Sequence, residues 1–172
     1  MTRHEDKLLI LSVYSHDSAM ERLKLKVPPL PIAIICGLMI WGLSVFIGTH
    51  SMGIEIRRII AIVLLIAAAT VDLAALITLL RNKTTVDPRY PEKSSSVVTT
   101  GIYRFSRNPM YLGLALLLTS LSLWLGVRFG LFVVMGFILY MNRFQIEPEE
   151  QALEKQFGER YINYKSTVRR WL

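Results

Sequence analysis

The sequence predicts an all-α integral membrane protein with four transmembrane helices and a C-terminal amphipathic helix. Three observations support this fold class. Hydrophobic residues make up 52% of the 172 positions and charged residues only 19%, whereas charged residues account for about 25% of an ordinary soluble domain. Four apolar runs approach the roughly 20 residues that a helix needs to cross a bilayer. The basic residues are concentrated between these runs, as is usual in membrane proteins.

The four predicted spans are separated by prolines, glycines and charged residues. The first follows Pro28 and Pro29, which stop any earlier helix. Because only Gly126 separates the third run from the fourth, these two are expected to form a tight antiparallel hairpin. The predicted spans cover about residues 30–48, 59–80, 109–125 and 127–146.

Residues 27–172 are expected to form a single domain, with a cytosolic loop over 81–108 and a cytosolic amphipathic helix over 147–172. Residues 1–26 precede it as an N-terminal extension that is a candidate for disorder, because its first part is mixed polar and lacks a helical stripe. A signal peptide is not expected, since the first apolar run begins late and shows no small-residue cleavage pattern.

The distribution of basic residues predicts the orientation. The net charge is +7, and all but three of the 20 lysines and arginines fall in the N-terminal extension, the loop over 81–108, or the region at or after the end of the fourth span. The three exceptions are Arg57, Arg58 and Arg128. The positive-inside rule then places both termini and the middle loop in the cytosol. In so apolar a chain, clustered basic loops indicate membrane orientation rather than binding of nucleic acid.

The third span begins with residue types that favour an anion site. Asn108 followed by Pro109 is a good N-cap and first-turn pair. The helix therefore presents its positive dipole end and free N–H groups at the cytosolic surface, flanked by Arg104 and Arg107. The alternative is that these arginines only anchor the helix among lipid headgroups.

An aromatic stripe marks the C-terminal segment. Glu150 heads this stripe at helical spacing, and a carboxylate in that position is expected to meet a cation. Glu149 lies beside it. The alternative is that acidic residues simply favour the positive end of a helix. The other members of the stripe are Leu153, Phe157, Tyr161 and Tyr164.

Asp72 lies within the second span, about two turns from its cytosolic end. An ionisable side chain costs about 2.5–3.5 kcal/mol at the centre of a span and less nearer the interface, so such a residue is a functional candidate by default. We take Asp72 and Arg143 as candidate substrate-binding residues. The alternative is a structural Asp72 whose carboxylate either snorkels to the interface or is hydrogen-bonded, for example to Asn142 or Arg143.

Other kinds of site have no support in the sequence. Neither a dinucleotide-binding glycine motif nor a P-loop occurs. The single cysteine, Cys36, lies in an apolar run, and the three histidines lie outside every informative segment. No metal site is therefore predicted.

Two motifs resemble those of the isoprenylcysteine carboxyl methyltransferase and phospholipid methyltransferase group of membrane enzymes. The first runs from Arg107 to Gly113. The second comprises Glu149-Glu150, Leu153, Phe157-Gly158, Tyr161, Tyr164 and Arg169-Arg170-Trp171. Stretches 84–88 and 99–103 are similar to the bacterial branch. The resemblance covers about half the chain. It departs from the eukaryotic prenylcysteine enzymes at Asn108, where those enzymes have a histidine.

The resemblance implies S-adenosyl-L-methionine as cofactor, held at the cytosolic end of the last hairpin beneath the C-terminal helix. The start of the third helix with Arg107 suits the cofactor carboxylate, and Glu149 or Glu150 suits its ammonium or sulfonium. Arg107 and Glu150 are the candidate catalytic pair. The candidate cofactor-binding residues are Arg104, Arg107, Asn108, Pro109, Tyr111, Glu149, Glu150, Phe157, Tyr161 and Tyr164.

The function expected from this resemblance is methyl transfer to a small lipophilic or membrane-embedded acceptor at the cytosolic face, in the bacterial inner membrane. The acceptor is a carboxylate, thiol or amine that arrives laterally among the membrane lipids. Two alternatives stay open. One is an NADPH-dependent membrane lipid reductase, and the other is a non-catalytic transport or interaction protein in which Asp72 is a pathway residue.

Overall fold

A computed structural model describes residues 27–47, 53–82 and 96–172, and every regular element in these ranges is helical. The predicted extension over 1–26 and residues 83–95 of the predicted loop lie outside the described residues. The elements are α1 (Pro29–Phe46), α2 (Ile54–Arg81), a 3₁₀ helix (Gly101–Arg104), α3 (Pro109–Leu125), α4 (Gly130–Met141), a π-helical turn (Asn142–Ile146), α5 (Glu147–Phe157) and α6 (Glu159–Thr167).

Two helices of the described part, α1 and α2, are long and apolar enough to cross a membrane. α3 is apolar but has 17 residues, and α4 has 12. The outer faces of α1 and α2 expose large apolar side chains such as Leu38, Trp41 and Val63, and extended apolar surfaces of this kind are typical of contact with lipid or a partner. The all-α prediction is confirmed for the described residues.

Close packing of α2 against α3 sets the framework of the protein. Small residues at seven-residue spacing, Ala61, Ala68 and Ala75, are buried on α2. The hydroxyl of Ser120 on α3 donates a hydrogen bond of 2.7 Å to the carbonyl oxygen of Ala61. Small residues let two helix backbones approach closely inside a membrane. At Gly113 of α3, an added Cβ would overlap the carboxylate of Asp72.

The connection between α3 and α4 is longer than predicted. Gly126 ends α3 with a positive φ of 71°, which glycine adopts without steric cost. The N–H of Val127 then donates to the carbonyl of Ser122, and the N–H of Gly130 to the carbonyl of Val127. The predicted start of the fourth helix at residue 127 is therefore wrong by three residues. Hydropathy does not distinguish an apolar turn from an apolar helix.

The C-terminal region differs most from its prediction. α4 continues through the π-helical turn into α5 without a break. The single predicted helix over 147–172 is instead two helices, because Gly158 adopts φ 52° and ψ −132°, a conformation essentially restricted to glycine. α6 ends at Thr167, and Val168 is extended. Residues 168–172, hereafter the C-terminal strap, return toward the start of α3.

Candidate functional site

The start of α3 lies beside the C-terminal strap. Asn108 occupies the N-cap position, but its side chain does not cap the helix. Its Nδ2 instead donates a 2.9 Å hydrogen bond to the carbonyl oxygen of Arg170, which corrects the predicted cap. The backbone N–H of Asn108 donates to the Ser106 hydroxyl at 3.1 Å. The first turn of α3 therefore keeps N–H groups without a side-chain cap, which is the arrangement that binds anions.

Arg107 is the central cation of this region. Its side chain is only 7% exposed, and its Nη2 lies 3.0 Å from Oε1 of Glu150. Two further nitrogens of the guanidinium, Nε and Nη1, are buried without a hydrogen-bond partner. Leaving buried charged donors unsatisfied is costly. The geometry thus provides donors for an anionic group next to the start of α3.

Glu150 holds two arginines at once. Its side chain is 5% exposed. Arg170 binds it through both oxygens, with Nε to Oε1 at 3.2 Å and Nη2 to Oε2 at 2.9 Å. The Nζ of Lys165 lies 3.5 Å from Oε2. The Glu150 carboxylate is therefore fully engaged by cations of the chain itself.

Glu149 has a different environment from its neighbour. Its Oε2 accepts a 3.0 Å hydrogen bond from the hydroxyl of Tyr111 on α3. The residue keeps some exposed surface, but its carboxylate is closely surrounded by protein atoms. This desolvation raises the pKa of Glu149 to about 7, against the lowering effect of the Tyr111 hydrogen bond and with a smaller raising effect from the charge of Glu150. The Glu149 carboxyl therefore changes its protonation state near neutral pH.

The predicted aromatic stripe packs into one cluster in spite of the break at Gly158. The hydroxyl of Tyr164 donates a 2.7 Å hydrogen bond to the carbonyl of Tyr103 in the 3₁₀ helix. Burial raises the pKa of both Tyr161 and Tyr164, so these phenols stay neutral. The cluster ties α5 and α6 to the segment before α3. Its members are Val97, Tyr161 and Tyr164, with Leu153, Phe157 and Val168 packed against them.

Comparison with known proteins identifies the family. The profile of the phospholipid methyltransferase family matches residues 56–160. The chain belongs to the phospholipid methyltransferase family. An uncharacterized protein of Haemophilus influenzae is 51% identical over 63 residues, which are 37% of this chain and the whole of that protein. No solved structure matches. Family membership together with the two long apolar helices indicates a membrane methyltransferase.

The family match covers α3 and α5 but ends before Tyr161 and the C-terminal strap. Within it, the structure brings Arg107 of the first motif into contact with Glu150 of the second, and Tyr111 into contact with Glu149. Arg104 is exposed in the 3₁₀ helix, whereas Pro109 is buried at the start of α3. The two motifs of the sequence therefore contact each other in the folded chain.

Asp72 and Arg143 have different neighbours in the described part of the chain. Arg143 is exposed and pairs with Glu147 at 3.0 Å. Asp72 lies against Gly113 on α3. Successive helical residues are about 100° apart, so Gly113 lies on a different face of α3 from Tyr111, about 200° around the helix. The Oδ1 of Asp72 is buried without a hydrogen-bond partner.

The alternative pairing of Asp72 with Asn142 or Arg143 is wrong within the described part of the chain. The Oδ1 of Asn142 instead accepts a 3.0 Å hydrogen bond from the indole of Trp171. Arg143 already pairs with Glu147, one helical turn along. The structural alternative that stays open for Asp72 is a snorkelling carboxylate, packed against Gly113.

Sequence reasoning missed four side chains around Arg107 and Glu150, namely Ser106, Lys165, Arg170 and Trp171. The last two were noticed only as part of a motif. Since the strap has no helical or alternating pattern, no sequence signal places it against the start of α3. The available hints were the Arg169-Arg170-Trp171 part of the second motif and the density of basic residues in the final eight positions.

Proposed function

We propose that the protein transfers a methyl group from S-adenosyl-L-methionine to a lipophilic acceptor at the cytosolic face of the membrane. The observation that carries this proposal is the buried Arg107 guanidinium, whose Nε and Nη1 have no partner beside the uncapped start of α3. A buried anion receptor of this kind suits the cofactor carboxylate. The family match supports methyl transfer as the reaction.

The residues present fit the remaining parts of the cofactor. Since Glu150 is engaged by Arg107 and Arg170, Glu149 is the carboxylate that takes the ammonium or the sulfonium. Tyr111, Phe157 and Tyr161 supply apolar walls for the adenosine. The cofactor supplies the electrophilic methyl carbon. Arg107 and Glu150 accordingly act by binding and orienting, and we assign no proton transfer to either.

The reaction requires little acid–base catalysis from the protein. A carboxylate or thiolate acceptor attacks without a base, whereas an amine must first lose a proton. The protein then has to align donor and acceptor and exclude water. If Asp72 and Arg143 contact the acceptor, they do so as two separate contacts, because they lie on different elements and do not pair with each other.

We further propose that α3 and the continuous helix through α4 also cross the membrane, which gives four spans and the predicted hairpin in a bacterial inner membrane. The basic residue distribution supports this arrangement. Reporter fusions at residue 172 and near Ser95 should then report a cytosolic position, and a fusion near Gly53 an external one. A cytosolic signal at Gly53 would overturn the four-span topology.

The function is tested with purified protein in detergent or liposomes of extracted bacterial lipid. Cofactor carrying a labelled methyl group should pass label to the lipophilic extract. Calorimetry should show binding in the micromolar range, about −8 kcal/mol, and no binding of NADPH. Binding of NADPH without binding of S-adenosyl-L-methionine would favour the lipid reductase. Binding of neither would favour the non-catalytic protein.

A further inference from the structure

We propose that Arg170 is a positioning residue, whose bidentate contact with Glu150 keeps two donors of Arg107 free for an anionic ligand group. This inference rests on the proposed function for the identity of the ligand, the carboxylate of the cofactor. It assigns a role to a residue beyond the segment that the family profile matches.

The C-terminal strap is fixed at three points around the site. The N–H of Arg107 donates to the carbonyl of Arg169 at 3.0 Å. The amide of Asn108 donates to the carbonyl of Arg170 at 2.9 Å. The indole of Trp171 donates to Asn142 in the π-helical turn at 3.0 Å. These contacts hold the backbone of Arg170 beside the start of α3, so its side chain reaches Glu150 from a fixed position.

The contact between Arg170 and Glu150 limits the number of hydrogen bonds that Glu150 can form with Arg107. Arginine and carboxylate groups prefer a bidentate arrangement with two parallel hydrogen bonds. In the structure, Arg170 takes that arrangement on both oxygens of Glu150, and Arg107 is left with a single contact through Nη2. Without Arg170, Glu150 would be free to bind Arg107 through two nitrogens. That would consume a donor that is now unpartnered.

The charge count supports the same conclusion. Two arginines share the single negative charge of Glu150, which leaves one surplus positive charge. The neighbouring carboxylates do not offset this charge, because Glu154 pairs with Lys165 and Glu147 pairs with Arg143. Glu147 also lies 4.0 Å from Arg170 at the exposed edge. Glu149, which faces the same region through Tyr111, is left for the opposite charge of the ligand. A zwitterionic amino-acid group complements this pattern.

The test compares two ligands on variants of the strap. S-adenosylhomocysteine carries the amino-acid group, whereas 5′-methylthioadenosine keeps the adenosine and the sulfur without it. In Arg170→Gln, affinity for S-adenosylhomocysteine should fall on the order of tenfold or more. Affinity for 5′-methylthioadenosine and the melting temperature should stay near wild type. Arg170→Lys, which retains the charge, should recover part of the affinity.

Arg169→Gln is the matched control, because it removes the same charge from the adjacent exposed position of the strap, and it should bind both ligands as wild type does. Equal losses of affinity for the two ligands in Arg170→Gln, or no loss for either, would overturn the inference about Arg170. The proposed function would still stand if the wild-type protein bound S-adenosylhomocysteine. Failure of the wild-type protein to bind S-adenosylhomocysteine would overturn both.

Discussion

Replacing Glu149 with glutamine is expected to weaken cofactor binding and to stabilise the fold above neutral pH. The glutamine carbonyl still accepts the hydrogen bond from Tyr111, but the negative charge that faces the cofactor ammonium is lost. Removing a hydrogen bond to a charged group costs about 1.5–3 kcal/mol, or about tenfold to a hundredfold in affinity. Calorimetry with S-adenosylhomocysteine at pH 7.5 measures this loss.

The pH dependence of stability follows from the raised pKa of Glu149. Because the folded value of about 7 lies above the ordinary value of 4.5, the native state binds more protons than the unfolded state between these values. The free energy of unfolding therefore decreases as pH rises through this window. Glutamine does not titrate. Glu149→Gln should thus melt at a higher temperature than wild type at about pH 8, and near wild type at about pH 5, where Glu149 is protonated.

The same pKa predicts how binding responds to pH. Wild-type affinity for S-adenosylhomocysteine should increase as pH rises through about 7 and Glu149 ionises, and Glu149→Gln should remove that increase. Glu159→Gln is the matched control, since Glu159 lies at an exposed position at the start of α6. A Glu149→Gln protein with wild-type affinity and an unchanged pH profile would exclude Glu149 as the ammonium contact.

The fold was predictable wherever hydropathy and local capping agree. The third span was predicted at 109–125 and the structure has it at Pro109–Leu125, because Asn108-Pro109 starts a helix and Gly126 ends one. Where an apolar residue serves a turn, as Val127 does, the same reasoning fails. The prediction of a single C-terminal helix also failed at Gly158. The apolar stripe keeps its helical spacing across the break between α5 and α6, because both helices pack against one cluster.

The proximity of Arg107 and Glu150 was predictable because Pro109 and Arg143 each lie 17 residues from Gly126. The nearby Arg107 and Glu150 therefore belong to neighbouring ends of two adjacent helices, and the structure brings them into contact at 3.0 Å. The partners of each group were not predictable. Asn108 was expected to cap α3, but its amide binds Arg170. That contact joins residues 62 positions apart, and it depends on an extended strap that no helical or strand periodicity describes.

The central claim is that the free donors of Arg107 take the carboxylate of the cofactor, and substitution of this one residue tests it most directly. Arg107→Met should lower affinity for S-adenosylhomocysteine about tenfold to a hundredfold, the cost of losing a hydrogen bond to a charged group. Affinity for 5′-methylthioadenosine should not change. The melting temperature should stay near wild type, because Glu150 keeps Arg170 and Lys165 as partners. Arg160→Met, at an exposed position of α6, controls for the lost charge.

The alternative is that Arg107 and Glu150 serve only to bind each other. In that case Arg107→Met and Glu150→Gln should each lower the melting temperature without a selective loss of S-adenosylhomocysteine. Our account predicts a selective loss of S-adenosylhomocysteine binding in Arg107→Met with a melting temperature near wild type. Wild-type affinity in Arg107→Met, or equal losses for S-adenosylhomocysteine and 5′-methylthioadenosine, would contradict it.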